Sequence, residues 1–533
     1  MHTDVLVVGG GVSGLRAAIQ ASVEGAKVTL INKGSIGIGS ETAYLDHLIE
    51  LTVVGVSETK NDEKLYAKDL IDFGRNVNDE NLVNTFVSNS NVEYQYIEAL
   101  GVPMEKIDQT YPSHRAPRLI KGIGHFGQNL LSRLKNEAIT KGVNIIENAT
   151  LYDVKDEEDC RIAYIGLKAK GIVTDLRMQF SSLVLATGGG GRLFSISTNP
   201  GGSTGDGVAL ALKLGAKVTN LEFLHFLPLI VNPIKGYYLT SAVFTKGYLK
   251  NSLGEEYIPS YPSGHQSMEP AELQGYLLLD ACMWIQKQIH MNNVTENNGV
   301  YWDGRHLEAE IVNRIPNSYK KLKERGLDLL KEAVEVSTGC HQLLGGVQID
   351  SSGSTSVPWL FAAGEVAGGF HGAERLMGTG VMDGLVFGAR SGSSAATFAK
   401  EVQKIPGNEN EQMKVEQLKL DLDVPDIKKR VQKKMDHILI TKNKERLMDT
   451  RKEISEIYEQ LLNIQILDLP IDQRLALGEC KNLVLLSLAY IEVSIQRKET
   501  RGSFIRSDYQ LKDEESKPSF VQLISNNEFQ VNI

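Results

Sequence analysis

The feature that most constrains the fold is a glycine-rich turn near the beginning of the chain. The run Val5–Val8 is short, apolar and largely β-branched, which is typical of a strand buried on both faces. Three glycines spaced G-x-G-x-x-G follow it: Gly9, Gly11 and Gly14. In this order they permit a tight turn, close approach of the backbone to a pyrophosphate, and packing of a helix on the sheet. A helix predicted over Leu15–Glu24 and a strand predicted over Val28–Ile31 complete a βαβ unit, so the stretch predicts a dinucleotide site.

The end of the second strand departs from the usual dinucleotide fingerprint. An acidic residue there usually holds a ribose hydroxyl, whereas this chain has Asn32. The amide oxygen of Asn32 can still accept a hydrogen bond, but it carries no charge. The start of the helix beside the glycines presents N–H groups to phosphates. We therefore assign the following residues to cofactor binding: Gly9, Gly11, Val12, Ser13, Gly14, Asn32 and Lys33.

Length, charge and cysteine spacing exclude several classes of protein. A chain of 533 residues is too long for one hydrophobic core, so two or three domains are expected. The net charge of −9 argues against binding to nucleic acid or to anionic membranes. The four cysteines are scattered and form no C-x-x-C pair, so the sequence has no zinc or iron–sulfur motif. The first strand begins close to Met1, and no apolar run approaches the roughly 20 residues that span a bilayer. We therefore expect a cytoplasmic protein without membrane insertion.

Composition divides the chain into four parts and indicates an α/β fold. Residues 1–225 contain the first glycine turn and a second buried strand, Leu183–Thr187, that runs into glycines. Residues 226–344 are mixed and irregular, and we interpret them as an inserted substrate domain. Strands ending in glycine return over residues 345–399, and charged helical periodicity dominates residues 400–533 before a polar tail that is predicted to be irregular. Helical patterns in the first part predict helices over Asp62–Phe73, Asp79–Ala99 and Phe126–Lys141.

Five sequence runs, taken in order, resemble one superfamily. They are the first glycine turn, LATGGGGRLF, TNPGGSTGDGVALALKLGA, LFAAGEVAGGFHGAERL and ETRGSFIRSDY. In this combination the chain resembles the flavoprotein subunits of fumarate reductase and succinate dehydrogenase, and L-aspartate oxidase. The resemblance implies FAD as the cofactor. It also implies a Rossmann-type FAD-binding domain with an inserted α+β capping domain and a C-terminal helical domain.

The resemblance further implies which residues contact FAD. The ribityl and ribose contacts fall to Glu365 and the first glycine turn, and Thr379–Met382 opens a helix onto the pyrimidine edge of the flavin. The N–H groups of such a helix start stabilise negative charge on reduced flavin. Families with covalent FAD carry a histidine in S-H-T, where this chain has Glu41, so non-covalent FAD is expected. The contacts expected beyond the first turn are Ser40, Thr187, Gly188, Asp206, Glu365, Arg375, Thr379, Gly380, Val381 and Met382.

Two residues match family positions that hold substrate carboxylates. His341 lies in an H-x-x-x-G-G run and Arg375 lies in an H-G-A-x-R-L run. An arginine suits this task because its forked guanidinium can bind both oxygens of a carboxylate at once. The alternatives are a structural ion pair for Arg375 and a satisfied core histidine for His341.

The resemblance breaks at three substrate positions. Leu227 stands where the family has a histidine before a proline. The run 241–247 lacks the family's arginine and glutamate but contains Lys246, a candidate catalytic residue. No arginine lies between Lys250 and Arg305, so the family's proton-delivering arginine is absent. Because reduction of a dicarboxylate needs a hydride on one face of the double bond and a proton on the other, standard fumarate or succinate chemistry is not expected.

Three functions are consistent with this pattern. The first is an FAD oxidoreductase that saturates or forms a C=C bond in a carboxylate substrate less polar than fumarate, since Leu227, Phe244 and Leu273 make the pocket apolar. The second is sulfur or amino-acid redox chemistry, resembling adenylylsulfate reductase or aspartate oxidase. The third is a flavin-bearing electron-transfer subunit whose own site is degenerate.

The same resemblance suggests one further candidate site residue and a partner protein. His47 lies in the loop that replaces a flavin-proximal A-x-G-G run, and it is a candidate for substrate contact. If the chain passes electrons on, a separate iron–sulfur subunit must supply the clusters, because the chain has no metal motif of its own. Whether the protein forms oligomers is left open.

Overall fold

The computed structural model describes most of the chain. Two residues singled out above, His47 and Phe244, lie outside the described residues. The description omits residues 46–50, 57, 109, 111–113, 158–159, 233, 235–236, 240–242, 244–245, 262–264, 268–269, 403–421, 516 and 526–527, together with the side chains of residues 267, 270–272, 274, 314 and 317.

Helices and strands alternate along the first part of the chain, as the sequence predicts. The helices are α1 (Val12–Val23), α2 (Asp62–Phe73), α3 (Glu80–Ala99), α4 (Phe126–Thr140), α5 (Asp206–Lys213), α6 (Pro270–His290), α7 (Glu308–Arg314), α8 (Pro316–Glu324), α9 (Gly380–Glu401), α10 (Val424–Met435), α11 (Lys444–Leu462) and α12 (Ile471–Gln496). The strands are β1 (His2–Val8), β2 (Val28–Asn32), β3 (Leu51–Thr52), β4 (Met104–Ile107), β5 (Leu119–Gly122), β6 (Asn144–Glu147), β7 (Ala149–Asp156), β8 (Arg161–Ala169), β9 (Ile172–Leu185), β10 (Val218–Thr219), β11 (Leu224–Val231), β12 (Tyr248–Lys250), β13 (Val300–Asp303), β14 (Val334–Leu343), β15 (Gly346–Gln348), β16 (Leu360–Ala362), β17 (Ala367–Gly368), β18 (Thr441–Lys442), β19 (Ile505–Arg506), β20 (Phe520–Ser525) and β21 (Glu528–Asn532).

A seven-stranded sheet forms the centre of the first domain. Parallel pairing gives the order β6-β2-β1-β9, and β16 lies parallel to the end of β9. Strands β8 and β7 extend the sheet by antiparallel pairing, as expected of a meander. Val5, Leu6 and Val7 are fully buried, so β1 is covered on both faces as its apolar run predicts. The α/β fold class is confirmed.

Glycines allow α9 to lie directly on α1. Gly384, Gly388 and Gly392 are spaced four residues apart and therefore share one face of α9. A Cβ on Gly388 would lie 2.7 Å from the carbonyl oxygen of Ser13, and one on Gly392 would lie 2.2 Å from that of Ala17. Any larger side chain would separate the helices. Because the contacts advance along both helices in the same direction, the two helix starts lie side by side.

The inserted segment has its own sheet and core. Strands β11, β14, β13 and β12 form an antiparallel sheet in that order, and α6 packs beside β11 and β14. Trp302 is fully buried at the centre of this second core. The boundaries proposed at residues 226 and 344 remain predictions: β11 begins at Leu224 and β14 ends at Leu343.

The C-terminal tail is not irregular, contrary to the prediction. Strand β20 pairs with β10 and β21 pairs with β20, so the tail joins the sheet β17-β15-β10-β20-β21. A buried ionic network fixes the preceding segment, in which Arg497 contacts both Glu222 and Glu499, and Arg501 contacts Glu499 at 2.7 Å. In the described part of the chain, no helix has both the length and the apolar character needed to cross a membrane.

Candidate functional site

A large cleft runs between the first domain and the inserted segment. Its volume is about 1860 Å³, well above the roughly 300–1,000 Å³ of a typical ligand pocket. It therefore has room for a dinucleotide and a second molecule. The predicted site residues that line it are Gly9, Gly11, Val12, Ser13, Asn32, Lys33, Ser40, Thr187, Gly188, Asp206, Lys246, His341, Glu365, Arg375, Gly380 and Val381.

The first glycine turn forms one end of the cleft. Gly9 has φ +117°, a conformation that L side chains rarely adopt, and a Cβ on Gly14 would lie 1.9 Å from the carbonyl oxygen of Gly9. Gly14 therefore closes the turn and does not line the cleft. A Cβ on Gly11 would meet no protein atom closer than the Thr42 hydroxyl at 3.7 Å. Gly11 thus leaves open the space that a pyrophosphate requires, and the turn fits a dinucleotide.

The residues at the end of β2 are already engaged within the protein. The Asn32 amide oxygen accepts a hydrogen bond from Gly10 N–H at 2.8 Å, and its amide nitrogen donates to the Gly34 carbonyl at 2.8 Å. Lys33 forms ion pairs with Asp206, at 3.3 Å, and with Glu479. Asn32 therefore holds the glycine turn in shape, and Lys33 and Asp206 tie it to α5 and α12.

The loop after β2 brings a carboxyl group into the cleft. The Ser40 hydroxyl accepts a hydrogen bond from Ala43 N–H at 3.3 Å, which fixes the short turn Glu41–Tyr44. One carboxyl oxygen of Glu41 is buried without a hydrogen-bond partner in the described part of the chain. Burial, followed by the charge of Glu365, raises the pKa of Glu41 to about 8. Glu41 therefore holds a proton at neutral pH.

A second glycine turn, at the end of β9, lies directly beside the first, because β9 is paired with β1. Gly188 has φ +75°, and the buried Thr187 hydroxyl has no hydrogen-bond partner among the described residues. A Cβ on Gly189 would lie 2.0 Å from a carboxyl oxygen of Glu365, so only glycine lets that side chain enter the turn. Unpartnered polar groups of this kind are suited to the hydroxyl-rich ribityl chain of FAD. The cleft thus fits the expected cofactor at both turns.

The start of α9 borders the cleft beside Arg375. A Cβ on Gly380 would lie 3.4 Å from the central guanidinium carbon of Arg375, so the guanidinium rests against the first turn of the helix. Gly380 and Val381 line the cleft. Thr379 and Met382 are fully buried and do not line it, and the Thr379 hydroxyl donates to the Leu376 carbonyl at 2.7 Å. The helix start therefore presents its backbone to the cleft.

Arg375 lines the cleft and has a neutral hydrogen-bond partner. Its guanidinium donates to the amide oxygen of Gln342, and no carboxylate forms an ion pair with it in the described part of the chain. The structural ion pair considered as its alternative role is therefore not found there. Burial lowers the pKa of Arg375, against the opposing charge of Glu365. A desolvated guanidinium whose partner is a neutral amide attracts a negatively charged ligand.

His341 lies in the same group of side chains. Its Nδ1 is 2.8 Å from the Thr198 hydroxyl, and its backbone carbonyl accepts from the Asn199 amide at 2.6 Å. The His341 ring centroid is 5.2 Å from that of His225 and 5.4 Å from that of Tyr238. His341 lines the cleft and is only partly buried, so it is not a core histidine. We call Arg375, His341, His225, Tyr238 and Gln342 the Arg375 cluster.

Burial keeps most titratable groups near Arg375 uncharged. Burial raises the pKa of both Glu365 and Asp383 to about 7, against the opposing charge of Arg375. Burial and Arg375 together lower the pKa of His225 to about 3, and they hold that of His371 well below its usual range. Arg375 is therefore the dominant charge of its surroundings below neutral pH.

The inserted segment contributes a more apolar wall. Leu227, Leu278 and Leu279 line the cleft there, whereas Leu273, which we expected to line it, does not. Lys246 also lines the cleft, where its ammonium group pairs with Glu310 at 2.8 Å. The ammonium charge of Lys246 is therefore already paired with Glu310, and the catalytic role predicted for Lys246 stays a prediction.

Sequence reasoning missed several groups around Arg375. Gln342, His225 and His371 belong to the very runs that indicated His341, Leu227 and Arg375, but nothing in those runs marks them as neighbours. Glu41 was noted only as a replaced histidine. Asp383 lies one residue beyond Thr379–Met382, and an acidic residue in the first turn of a helix is ordinary. Only the fold brings these groups together.

Comparisons with known proteins agree with this geometry. A family model described as "FAD binding domain" matches residues 4–381, and one described as "Fumarate reductase flavoprotein C-term" matches residues 428–530. A protein of Halobacterium salinarum named L-aspartate oxidase is 31% identical over 410 residues, covering 74% of this chain and 75% of that protein. A protein of Methanothermobacter marburgensis, named as one subunit of a CoM/CoB fumarate reductase, is 27% identical over 529 residues, covering 95% of this chain and 94% of that protein.

Solved structures share the architecture. A chain from a quinol–fumarate reductase with menaquinol molecules superposes with a TM-score of 0.85 at 22% identity. The superposition covers 100% of this chain and 97% of that chain. At this identity the likeness concerns the fold.

Proposed function

Because the chain belongs to the FAD-dependent oxidoreductase family of fumarate reductase, succinate dehydrogenase and L-aspartate oxidase, we propose that it saturates, or in reverse forms, a C=C bond in a carboxylate substrate. FAD is the cofactor, as the sequence predicts. When bound, FAD supplies hydride transfer at flavin N5. We propose that the substrate is less polar than fumarate.

One observation supports the proposal: a partly buried arginine lines a large cleft without an ion-pair partner among the described residues. The Arg375 guanidinium is held by Gln342 and rests on Gly380. A carboxylate can take the remaining donors of its fork. The leucines of the inserted segment exclude water and favour an apolar body next to that carboxylate.

The neighbouring side chains position and desolvate the bound acid. Thr198 orients the His341 ring through Nδ1, which fixes the direction in which the other ring nitrogen points. His225 stays neutral because burial and Arg375 lower its pKa, so it does not repel Arg375 and can serve as a neutral hydrogen-bonding group. These residues hold the acid while Arg375 carries the charge.

Amino-acid oxidation is the second candidate. It is supported by the relative named L-aspartate oxidase, and by the fact that removal of hydride from an amine does not require the missing proton-delivering arginine. An amino acid offers a carboxylate to Arg375 in the same way. L-Aspartate therefore belongs in the same test as the enoates.

We further propose that a separate subunit takes up or supplies the electrons. A relative whose name makes it one subunit of a fumarate reductase supports this arrangement. In the described part of the chain, no group of three or more His, Cys, Asp or Glu side chains could hold a metal ion. Redox centres for onward transfer would then belong to the partner.

The substitution Arg375→Lys tests the carboxylate role. Lysine keeps the positive charge but lacks the forked pair of guanidinium donors. Loss of a charged hydrogen-bonding partner in a desolvated site costs about 2–5 kcal/mol. The affinity for a carboxylate ligand should therefore fall at least roughly tenfold. We would titrate the flavin absorbance of the FAD-bound protein with crotonate, fumarate and L-aspartate, and record a thermal melt of each variant.

The substitution Arg16→Lys is the matched control. Arg16 forms a buried bidentate ion pair with Glu93, at 2.7 and 3.0 Å, so its variant should melt at a lower temperature while its dissociation constants stay unchanged. If Arg375→Lys behaves in the same way, Arg375 has a structural role and the proposal fails.

A further inference from the structure

The wall of the cleft that belongs to the inserted segment carries cations and no carboxylate among the described residues. Lys246, Lys321 and Arg325 line it together with Tyr237 and apolar side chains. Every Asp or Glu that lines the cleft lies in the first domain: Glu41, Glu105, Asp206, Glu365, Glu374 and Asp383. The wall of the inserted segment is therefore positively charged, whereas the first-domain wall carries charges of both signs.

Local structure arranges two of these cations as a pair. Lys321 lies on α8 and Arg325 caps its end, so the two residues are four positions apart and share one helix face. The Arg325 guanidinium lies 4.4 Å from the centroid of the Tyr237 ring, which restricts its orientation. Lys246 approaches from the segment before β12 and is paired with Glu310 on α7.

Two acidic groups of the first domain that line the cleft have cationic partners in that same domain. Glu105 pairs with Lys121 at 3.0 Å, and Glu374 pairs with Arg75. Both acids are thus already engaged within the first domain. An anionic ligand group that reaches the end of α8 therefore meets positive charge on the side of the inserted segment.

We propose that the substrate carries a second acidic group, separated from the first by an apolar body, and that Arg325 and Lys321 bind this distal anion. The inference rests on the proposed function, in which Arg375 holds the first carboxylate. It names the substrate class as an elongated acid with two anionic ends, where the distal end is a carboxylate, sulfonate or phosphate. The volume of the cleft and the leucines that line it suit such a molecule.

The test compares pairs of linear acids on the FAD-bound protein. The dicarboxylates succinate, adipate, sebacate and dodecanedioate are matched with butyrate, hexanoate, decanoate and dodecanoate, and each dissociation constant is read from the flavin spectrum. Once the chain is long enough to span the cleft, the dicarboxylate should bind at least about threefold more tightly than its monocarboxylate. This is the size expected for one ion pair with an exposed arginine. This advantage should shrink as salt is added.

Charge reversal identifies the residue. Arg325→Glu should remove the advantage of the long dicarboxylates and leave the short monocarboxylates unchanged. Arg305→Glu is the control, since Arg305 is exposed, pairs with Asp303 and does not line the cleft. A long dicarboxylate that binds no better than its monocarboxylate, or an equal loss in both variants, would overturn the inference while leaving the role of Arg375 intact. If no acid binds in an Arg375-dependent way, the proposed function fails and this inference fails with it.

Discussion

Glu41→Gln should flatten the dependence of stability on pH. Burial and Glu365 raise the pKa of Glu41 from 4.5 to about 8, with Arg375 and Arg192 opposing the shift. Between these two values the unfolded chain has lost the proton of Glu41 while the folded protein keeps it. The unfolded state therefore binds fewer protons, and the free energy of unfolding falls as pH rises through this window.

The size of the effect follows from the shift. At about 1.4 kcal/mol per pKa unit the full difference approaches ~5 kcal/mol, and the partial exposure of the side chain reduces it to ~2–3 kcal/mol. Glutamine cannot ionise, so Glu41→Gln removes this part of the pH dependence. The variant should therefore gain stability relative to the wild type as pH rises.

The assay is urea unfolding of the FAD-free protein at a series of pH values from about 5 to about 9. Glu365 and Asp383, whose pKa values are also raised, remain in both proteins and leave a common residual slope. Glu296→Gln, at an exposed position, is the control and should follow the wild type. Parallel curves for Glu41→Gln and the wild type would show that Glu41 is ionised in the folded protein, and the reasoning would be refuted.

Three further results are expected for the cofactor and the reaction. Gly11→Val should give folded protein without FAD, because the new side chain fills the open space in the turn. Gly14→Val should unfold the protein, because a Cβ at this position meets the Gly9 carbonyl. Flavin absorbance reports the bound FAD and circular dichroism reports the folding of each variant. Acid precipitation should release FAD into the supernatant, since Glu41 stands where covalent families have a histidine; flavin fluorescence that stays with the polypeptide on a denaturing gel would contradict this. Fumarate reduction with a reduced viologen dye should be negligible, because Leu227 replaces a family histidine; a turnover of about 1–10³ per second would show that another group delivers the proton.

Sequence patterns predict the helices well, because helix formation depends on residues close together in the chain. The predicted helix Asp62–Phe73 matches α2 at both ends, and the predicted ends of α3 and α4 differ by a single residue. Helical periodicity and capping residues act within a few positions, so they can be read directly. The strand of the C-terminal tail could not be predicted in this way, because Val521 of β20 pairs with Val218 of β10, some three hundred residues earlier. Only a long-range partner makes that segment a strand.

In the candidate site, too, short sequence runs identify individual residues, whereas the contacts between them depend on the whole fold. The sequence indicates Arg375 and His341 through short runs, and the structure places both in one cluster, where their binding role stays a proposal. The sequence predicts that Asn32 binds the cofactor, but this depends on which way its side-chain amide points, and no sequence pattern reveals that. In the structure the amide oxygen accepts from Gly10 N–H and the amide nitrogen donates to the Gly34 carbonyl, so the side chain holds the glycine turn. Electrostatic properties are less predictable still, since burial is a property of the whole fold.

The charges around Arg375 support the proposal that the cleft binds an acid, although several polar residues of the family's substrate site are missing from this chain. A permanent cation in a desolvated site would normally be neutralised by a fixed carboxylate. Here Glu41, Glu365 and Asp383 take that place only above neutral pH, because burial raises the pKa of each to about 7 or 8. Below that range they are uncharged and His225 is neutral, so Arg375 attracts an external anion with little internal competition. A leucine wall strengthens such an attraction by keeping the local dielectric constant low. The replacement of polar family residues along that wall therefore supports our proposal that the substrate is an apolar acid.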